Sequence, residues 1–266
     1  MTPVEIHQGD SPIVLGLPHT GTYVPDVILA DLNDRGRGLD DTDWHIHTLY
    51  DGVFSGATTV RATFHRYVVD ANRDPSGVSL YPGQNTTGLV PLTDFDGHNI
   101  WTARPTEADV EARRETFHAP YHAALQAELD RVRSIHGAAI LYDCHSIRSG
   151  IPFLFEGTLP DFNIGTNLGT TCALEIEVAT QTICDGAAGY SSVTNGRFKG
   201  GWTTRHYGRP AEGLHAIQME LAQSTYLNAE APPWAYDMTK AARLRPYLTQ
   251  ILTQLAELAP TLKGTS

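Results

Sequence analysis

A five-residue apolar run at positions 138–142 constrains the fold of this chain more than any other stretch. It follows a histidine–glycine pair that is typical of a helix end, and it predicts a buried strand of an α/β sheet. The run leads directly into Asp143 and His145. Ligands bind at the carboxyl ends of strands in open α/β sheets, because the loops there part to form a crevice. We therefore predict an α/β fold with a polar site at the end of this strand.

The spacing of Asp143 and His145 also carries chemical information. Successive residues of a strand point to opposite faces, so these two side chains lie on the same side. The carboxylate can then orient the imidazole, as carboxylates commonly do for metal-bound histidines. The alternative is a histidine that only completes the hydrogen bonding of a capped strand end. The remaining segments of the chain favour the first interpretation.

Further candidate metal ligands lie in the first fifty residues. A buried strand over residues 12–17 leads into His19, which is either a ligand or an ordinary turn residue. Three acids and two histidines then fall within residues 40–47. Their density suggests a metal site, although acids also favour a helix N-terminus. Both interpretations hold together if the first turn of a helix there supplies a ligand from Asp43, Asp41 or a neighbouring histidine.

Two segments offer cations and amides to an anionic substrate. Strands predicted over residues 57–62 and 67–70 are followed by Asn72 and Arg73. This pair suits bidentate recognition of a carboxylate, although a surface turn is also compatible with it. Residues 195–210 carry four cations and four glycines in an otherwise acidic protein. We interpret this glycine-rich segment as an anion site, with a solvated, flexible loop as the alternative.

A candidate general base lies in a later strand. Apolar and polar residues alternate over residues 215–221, which predicts a strand. Three apolar side chains lie on one face of this strand, and Gln218 and Glu220 lie on the other. A buried glutamate costs free energy unless it has a partner or a function. Glu220 is therefore a natural general base.

Apolar periodicity predicts three helices. The first covers residues 106–135, is capped by Thr106 and is kinked or split by Pro120. The second opens at Thr170 or Thr171 and ends at Gly186, with a predicted buried stripe of Cys172, Ile176, Ala179 and Ile183. The third covers residues 238–258.

Charge and composition exclude several classes of protein. With 19 basic and 30 acidic residues, the formal net charge of −11 disfavours nucleic acid and anionic membranes as partners. A small anionic substrate remains compatible, because a few buried arginines can create a positive electrostatic potential locally in a protein whose net charge is negative. Three cysteines without paired spacing fit a reducing compartment, and neither a signal peptide nor a membrane span is evident. We expect a cytoplasmic protein in which residues 1–266 form a single domain.

The combined pattern predicts a metallohydrolase. Two histidines and a carboxylate with an open fourth position are the ligand composition of a catalytic zinc site. Such a metal lowers the pKa of bound water to roughly 7 and polarises a carbonyl oxygen. We therefore predict hydrolysis of an amide whose substrate carries carboxylates, with one divalent metal ion as the cofactor and Zn²⁺ as the expected ion.

The order of these elements resembles the zinc carboxypeptidase and aminoacylase group. That group has a histidine-plus-acid motif, an Asn–Arg pair, a second histidine and a late glutamate base, which match His19, Asn72, Arg73, His145 and Glu220. The first motif of the group is His-x-x-Glu, and here Thr22 stands where the glutamate would be. The acid must therefore come from elsewhere, with Asp43 or Asp41 as the obvious source.

More closely, the chain resembles the N-formylglutamate deformylase (N-formylglutamate amidohydrolase) family over roughly residues 11–227. The resemblance is carried by PHTG (18–21), TDWH (42–45), NR (72–73), SLYPGQ (79–84), DCHSI (143–147), LFEG (154–157), NGRFKGG (195–201) and TRHYG (204–208). It implies a three-layer α/β/α hydrolase fold with a central mixed, largely parallel sheet, like that of the zinc carboxypeptidases. It also implies hydrolysis of N-formyl-L-glutamate to formate and glutamate, the last step of one histidine degradation route.

With this resemblance we assign hypothetical roles to the candidate residues. The metal ligands would be His19, Asp43 and His145. Glu220 would act as general base and then as general acid, while Asp143 would orient a ligand. The carboxylates of the substrate would be bound by Asn72, Arg73, Arg197, Arg205 and Arg148. His206 or Tyr207 would stabilise the tetrahedral oxyanion.

Two alternative functions follow from the same residues. The first is the same metallohydrolase chemistry on another N-acylated acidic amino acid or on a γ-glutamyl peptide. The second is a non-catalytic protein that binds acidic amino acids without a metal. The two histidines, the inward-facing glutamate and the acid cluster together argue against the second alternative.

Overall fold

In the computed structural model of this protein, residues 2–78 and 85–264 are described, and the SLYPGQ motif at residues 79–84 lies outside the described residues. The strands are β1 Val4–His7, β2 Ile13–Leu17, β3 Thr58–Ala62, β4 Ala139–Ile147, β5 Phe162–Gly165, β6 Ser192–Thr194 and β7 Leu214–Ala222. The α-helices are α1 Asp26–Asp31, α2 Asp34–Arg37, α3 Ile46–Tyr50, α4 Glu107–Arg113, α5 Ala119–His136, α6 Leu174–Asp185, α7 Trp202–Tyr207 and α8 Met238–Leu258.

The strands form one mixed sheet in the order β1-β3-β2-β4-β7-β5-β6. Its four central strands run parallel, whereas β1 and β5 pair antiparallel with β3 and β7. One face packs against α5, and the other packs against α3, α6 and α8. Because helices cover both faces, β4 and β7 are buried along their whole length. The predicted α/β fold, with a mixed, largely parallel sheet between helices, is confirmed.

The two central strands place the polar residues of the predicted site. β4 is longer than the apolar run that predicts it, because it pairs with β7 as far as Ile147. Asp143 and His145 therefore lie within the strand, near its carboxyl end. In β7 the predicted alternation is confirmed, since the neighbouring apolar residues pack in the core under α8 while Glu220 faces the opposite side.

The C-terminal helix α8 has the predicted bounds. The Asp237 side chain accepts hydrogen bonds from the first backbone amides of the helix, which fixes its start. Its apolar stripe is buried against the sheet through Leu244, Leu248, Ile251 and Leu255. Burying one such side chain stabilises the fold by about 1.5–3 kcal/mol. No described helix, α8 included, is both long enough and apolar enough to cross a membrane.

The helical region after Thr106 is split, as predicted. Thr106 forms a capping box with Asp109 and begins α4. A wider π-helical turn, Arg114–His118, then precedes α5, which carries Pro120 in its first turn. Proline lacks the amide hydrogen that a regular α-helix needs at this point, so the wider turn replaces the missing pairing.

Two of the predicted elements, a strand and a helix start, differ in the structure. Residues 67–70 form a buried turn and not a strand, because the amide of Tyr67 bonds to His65 Nδ1 and that of Val68 to the His65 carbonyl. Their β-branched side chains still fill the core, which is why the pattern resembles a strand. The helix predicted to open at Thr170 or Thr171 begins at Leu174, and its buried face is Ile176, Thr180 and Cys184. Thr180 is tolerated there because its hydroxyl bonds to the Ile176 carbonyl.

Candidate active site

Three predicted metal ligands converge where β2 and β4 end. His19 follows β2, His145 lies in β4, and Asp43 lies in the turn before α3. Asp43 Oδ2 is 3.3 Å from His145 Nδ1 and 3.8 Å from His19 Nδ1. One donor atom from each residue lies within 4.8 Å of the other two, and all three side chains are buried. Two imidazole nitrogens and one carboxylate oxygen are a donor set that suits Zn²⁺.

The outer nitrogen of each imidazole meets a second carboxylate. His19 Nε2 lies 2.7 Å from Asp70 Oδ1, and His145 Nε2 lies 3.1 Å from Asp143 Oδ1. The Asp70 carboxylate accepts a hydrogen bond from His19, so the His19 proton lies on Nε2 and its Nδ1 is turned toward Asp43. The Nδ1 atom of His145 also faces Asp43. The same arrangement occurs in metal-bound histidines. The residues present therefore fit a divalent ion.

Asp70 and Arg66 are site residues that are not among the predicted ones. Arg66 Nη2 donates to Asp70 Oδ2 at 2.8 Å, and Arg66 Nη1 lies 3.7 Å from Asp43 Oδ1. Burial alone would raise the pKa of Asp70, but the guanidinium of Arg66 and other neighbouring cations hold it well below its usual range. Asp70 follows an apolar run, as Asp143 does, and this shared signal identifies it in retrospect.

The structure brings Asp43, and not Asp41, to the two histidines. The amide of Asp43 donates to the His19 carbonyl, and Ser146 donates its own amide to Asp43 Oδ2. Asp41 instead accepts hydrogen bonds from the Tyr67 hydroxyl at 2.8 Å and from a backbone amide at 2.9 Å. The expectation that a helix starts at these acids is wrong. Helix α3 begins only at Ile46, after a residue whose backbone is in the left-handed conformation.

The neighbouring histidines of that acid cluster are also engaged elsewhere. His45 is the left-handed residue, with a φ of 60°, and its Nε2 lies 2.8 Å from the Trp234 carbonyl. His47 lies in α3 and is half-buried, and burial lowers its pKa to about 4. Neither residue lines the cavity that holds Asp43. The tertiary structure therefore leaves Asp43 as the carboxylate donor of the cluster.

Glu220 lies beside His145 in the adjacent strand. The two residues are register partners in the parallel pair β4–β7. Gln218 Nε2 donates to Glu220 Oε2 at 3.0 Å, so the carboxyl group has a fixed orientation. Burial raises the pKa of Glu220 to about 8. A carboxyl group with a pKa near neutral pH can both accept and donate a proton during one reaction cycle.

A cavity of about 280 Å³ opens onto these groups. Three predicted substrate-binding residues, Asn72, Arg73 and Arg197, line it. Asn72 Nδ2 lies 3.3 Å from His145 Nε2, while the Arg73 guanidinium donates to the Thr87 carbonyl and hydroxyl. The cavity thus joins the metal-ligand set to three guanidinium groups, those of Arg66, Arg73 and Arg197, as a site for a small anionic substrate requires.

Four other predicted site residues lie away from this cavity. Arg148 Nη2 is 3.1 Å from Asp96 Oδ2, and Arg205 Nε donates to the Gly200 carbonyl at 2.9 Å. His206 is exposed and stacks on the Trp202 ring with 4.3 Å between the ring centroids. For Arg205 and His206 the cause is that residues 202–207 form helix α7 and not an open loop, so these two side chains turn outward along the helix.

Tyr207 is the fourth of these residues, and it points into the core. Its hydroxyl lies 2.9 Å from His122 Nδ1, while His122 Nε2 lies 2.8 Å from the Ala71 carbonyl. A carbonyl oxygen only accepts, so Nε2 carries the proton and Nδ1 accepts from the Tyr207 hydroxyl. The structure therefore gives no support to Tyr207 or His206 as the oxyanion donor, because neither reaches the cavity.

The buried His122 predicts a pH-dependent stability. Burial lowers the pKa of His122 to about 3, from an ordinary value of 6.5. Between these values the unfolded chain binds a proton that the folded chain does not, so the free energy of unfolding falls as the pH falls. The contribution is full above pH 6.5 and declines by up to about 1.4 kcal/mol per pH unit toward pH 3.

Urea unfolding at pH 6.5, 5.5 and 4.5 measures this effect. We expect His122→Gln to lose stability more slowly than the unsubstituted protein as the pH falls, because glutamine does not titrate. His7→Gln is the matched control, since His7 is exposed on β1 and its ring is in water in both states. Equal pH slopes for His122→Gln and the unsubstituted protein would contradict the assignment.

The chain is similar to known proteins of one family over most of its length. Residues 11–227 match the family model described as N-formylglutamate amidohydrolase. A Pseudomonas putida protein named N-formylglutamate deformylase is 45% identical over 255 residues, which are 95% of each chain. A Pseudomonas aeruginosa protein of the same name is 43% identical over 251 residues, which are 93% of this chain and 94% of that one.

Solved structures agree with the fold. The crystal structure of N-formylglutamate amidohydrolase from Ralstonia eutropha JMP134 superposes with a TM-score of 0.82 at 26% identity, covering 98% of this chain and 99% of that one. A gene product of Agrobacterium tumefaciens superposes with a TM-score of 0.72 at 16% identity, covering 97% and 96% of the two chains. At that identity the second match supports the fold alone.

Proposed function

The chain belongs to the N-formylglutamate amidohydrolase family, and from this premise we propose that it hydrolyses N-formyl-L-glutamate to formate and L-glutamate. The observation that carries the proposal is the cavity that is lined by His19, Asp43 and His145 together with Glu220 and three arginines. N-formyl-L-glutamate carries an amide and two carboxylates. The proposed metal ligands and Glu220 would act on the amide, and the arginines would bind the carboxylates. The reaction would be the last step of one histidine degradation route.

The proposed cofactor is one divalent metal ion, with Zn²⁺ as the expected ion. His19, Asp43 and His145 would hold it, because their donor atoms converge and their outer nitrogens are fixed by Asp70 and Asp143. When bound, such an ion polarises a carbonyl oxygen and lowers the pKa of a bound water to about 7. All three ligands line the cavity, so an ion held by them would be accessible to substrate, as a catalytic site requires.

Glu220 is proposed to move the proton. Its carboxylate removes a proton from the attacking water as the water oxygen bonds to the formyl carbon. The same carboxyl group then delivers that proton to the amide nitrogen as the carbon–nitrogen bond breaks, which releases formic acid and the amino group of glutamate. Formic acid loses the second proton of the water to give formate, and the amino group takes up a proton to give ammonium. The Gln218 amide keeps one oxygen of Glu220 oriented throughout, because it donates to Oε2.

Arg73, Arg197 and Asn72 are proposed to bind the substrate carboxylates. All three line the cavity, and guanidinium groups recognise carboxylates through paired, charge-assisted hydrogen bonds. Arg148 and Arg205 take no part in this proposal, because neither lines the cavity in the described part of the chain. The guanidinium groups in the cavity supply positive charge for an anionic substrate within an acidic protein.

One experiment tests the substrate and the metal together. Zinc content per chain and formate release from N-formyl-L-glutamate are measured before chelation, after chelation and after zinc is restored. We expect about one zinc per chain, formate release that stops on chelation, and recovery with zinc. Formate release from the metal-free, chelator-treated protein would overturn the metal mechanism. Zinc binding without formate release would contradict the substrate and direct the search to N-acetyl-L-glutamate or γ-glutamyl peptides.

A further inference from the structure

The first turn of α7 contacts three groups that surround the proposed metal and base. This turn, residues 201–204, is called the α7 turn below. Its hydrogen bonds run to Gln218, Asn72 and Asp143, which lie on three other segments of the chain. None of these three groups is one of the proposed metal ligands, but each touches a ligand or the proposed base.

Two of the contacts reach His145. The Thr204 hydroxyl donates to Asp143 Oδ2 at 3.0 Å, and Asp143 Oδ1 lies 3.1 Å from His145 Nε2. The amide of Thr203 donates to Asn72 Oδ1 at 2.9 Å, which places Asn72 Nδ2 3.3 Å from the same Nε2. Both groups beside the outer nitrogen of His145 are therefore fixed by the α7 turn.

The third contact reaches Glu220. The amide of Gly201 donates to Gln218 Oε1 at 2.7 Å, and Gln218 Nε2 donates to Glu220 Oε2 at 3.0 Å. The contact with Gly201 decides which end of the Gln218 amide faces Glu220, since the oxygen must accept from the backbone and only the nitrogen can donate. Thr203, Thr204, Asp143 and Gln218 are all buried, so water does not compete for these bonds.

We infer that the α7 turn is a positioning element for the site, in which Thr204 orients His145 through Asp143 and Gly201 orients Glu220 through Gln218. The inference rests on the proposed function. It makes Thr204 and Gln218 positioning residues with separable effects. The contacts from Thr204 through Asp143 to His145, called the Thr204 arm, control how well the site holds the metal, because His145 is a proposed ligand. The contacts from Gly201 through Gln218 to Glu220, called the Gln218 arm, control turnover, because Glu220 is the proposed base.

Zinc affinity tests the Thr204 arm. Thr204→Val removes the hydroxyl at nearly constant volume, and we expect zinc affinity, measured by competition with a chromogenic chelator, to fall about 10–100-fold. Thr204→Ser retains the hydroxyl and should restore affinity to within about 3-fold of the unsubstituted protein. Thr203→Val is the matched control, because the Thr203 hydroxyl is equally buried and has no hydrogen-bond partner in the described part of the chain.

Kinetics at saturating zinc test the Gln218 arm. We expect Gln218→Met to lower kcat for N-formyl-L-glutamate about 10-fold or more, with zinc affinity unchanged. Circular dichroism melting of the metal-free variants separates these effects from misfolding. Unchanged zinc affinity in a folded Thr204→Val protein, or a loss equal to that of Thr203→Val, would overturn the inference. Failure of the unsubstituted protein to bind zinc would instead overturn the proposed function, so the two failures are distinguishable.

Discussion

Replacing His145 with alanine is expected to remove both the metal and the activity. The substitution deletes the imidazole whose Nδ1 faces Asp43 at 3.3 Å and leaves two donor residues, which is too few for a tight zinc site. We expect zinc content to fall from about one per chain toward zero, and kcat/KM to fall on the order of 10³-fold or more. His19→Ala should have the same effect, because it deletes the second imidazole.

The measurement pairs elemental analysis of zinc with formate release. His215→Ala is the matched control, because His215 is also a buried histidine of the central sheet but bonds to the Leu262 carbonyl at the opposite end of β7. It should retain zinc and activity wherever it remains folded. If His145→Ala keeps both stoichiometric zinc and formate release, the ligand assignment is wrong.

Replacing Glu220 with glutamine is expected to retain the metal and abolish turnover. Glutamine has nearly the same shape and can still contact Gln218, but it cannot accept the proton of water. General acid–base catalysis contributes about 10²–10⁴-fold, so we expect kcat to fall by that factor while KM and zinc content change little. This outcome separates a base from a ligand, since loss of a ligand also lowers the zinc content.

Glu128→Gln provides the control for Glu220→Gln. Glu128 is a buried glutamate on α5 whose partner is Arg131, and it does not line the cavity. The Glu128→Gln substitution can lower the free energy of unfolding, but it should leave kcat unchanged. A Glu220→Gln protein that turns over at the rate of the unsubstituted protein would show that another group moves the proton. A Glu220→Gln protein without zinc would show that Glu220 helps to hold the metal.

Several elements could be predicted because their signals are local. The alternation over β7, the apolar stripe of α8 and the capping box at Thr106 follow from the repeat of a strand or a helix and from the chemistry of the first helical turn. The same local logic puts His19 and His145 at the ends of strands. Parallel strands place their carboxyl ends at one edge of a sheet, so the convergence of these two histidines also follows from the pattern.

Other features depended on partners that are distant in the sequence. Asp41 and Asp43 have the same chemistry two residues apart, and the Tyr67 hydroxyl distinguishes them by engaging Asp41. Arg148 is predicted to bind substrate, but Asp96 engages it outside the cavity. Residues 67–70 have the composition of a strand, and only the hydrogen bonds of the surrounding fold make them a turn.

The sequence by itself determined the class of fold, the order of its main elements and the chemical types that meet at the strand ends. Backbone periodicity and turn chemistry are properties of neighbouring residues, so they can be read along the chain. The tertiary structure alone decided which acid faces the histidines, that Asp70 and Arg66 support them, and that α7 turns His206 outward. These choices depend on the direction and partner of each side chain, and those are fixed only when distant segments pack together.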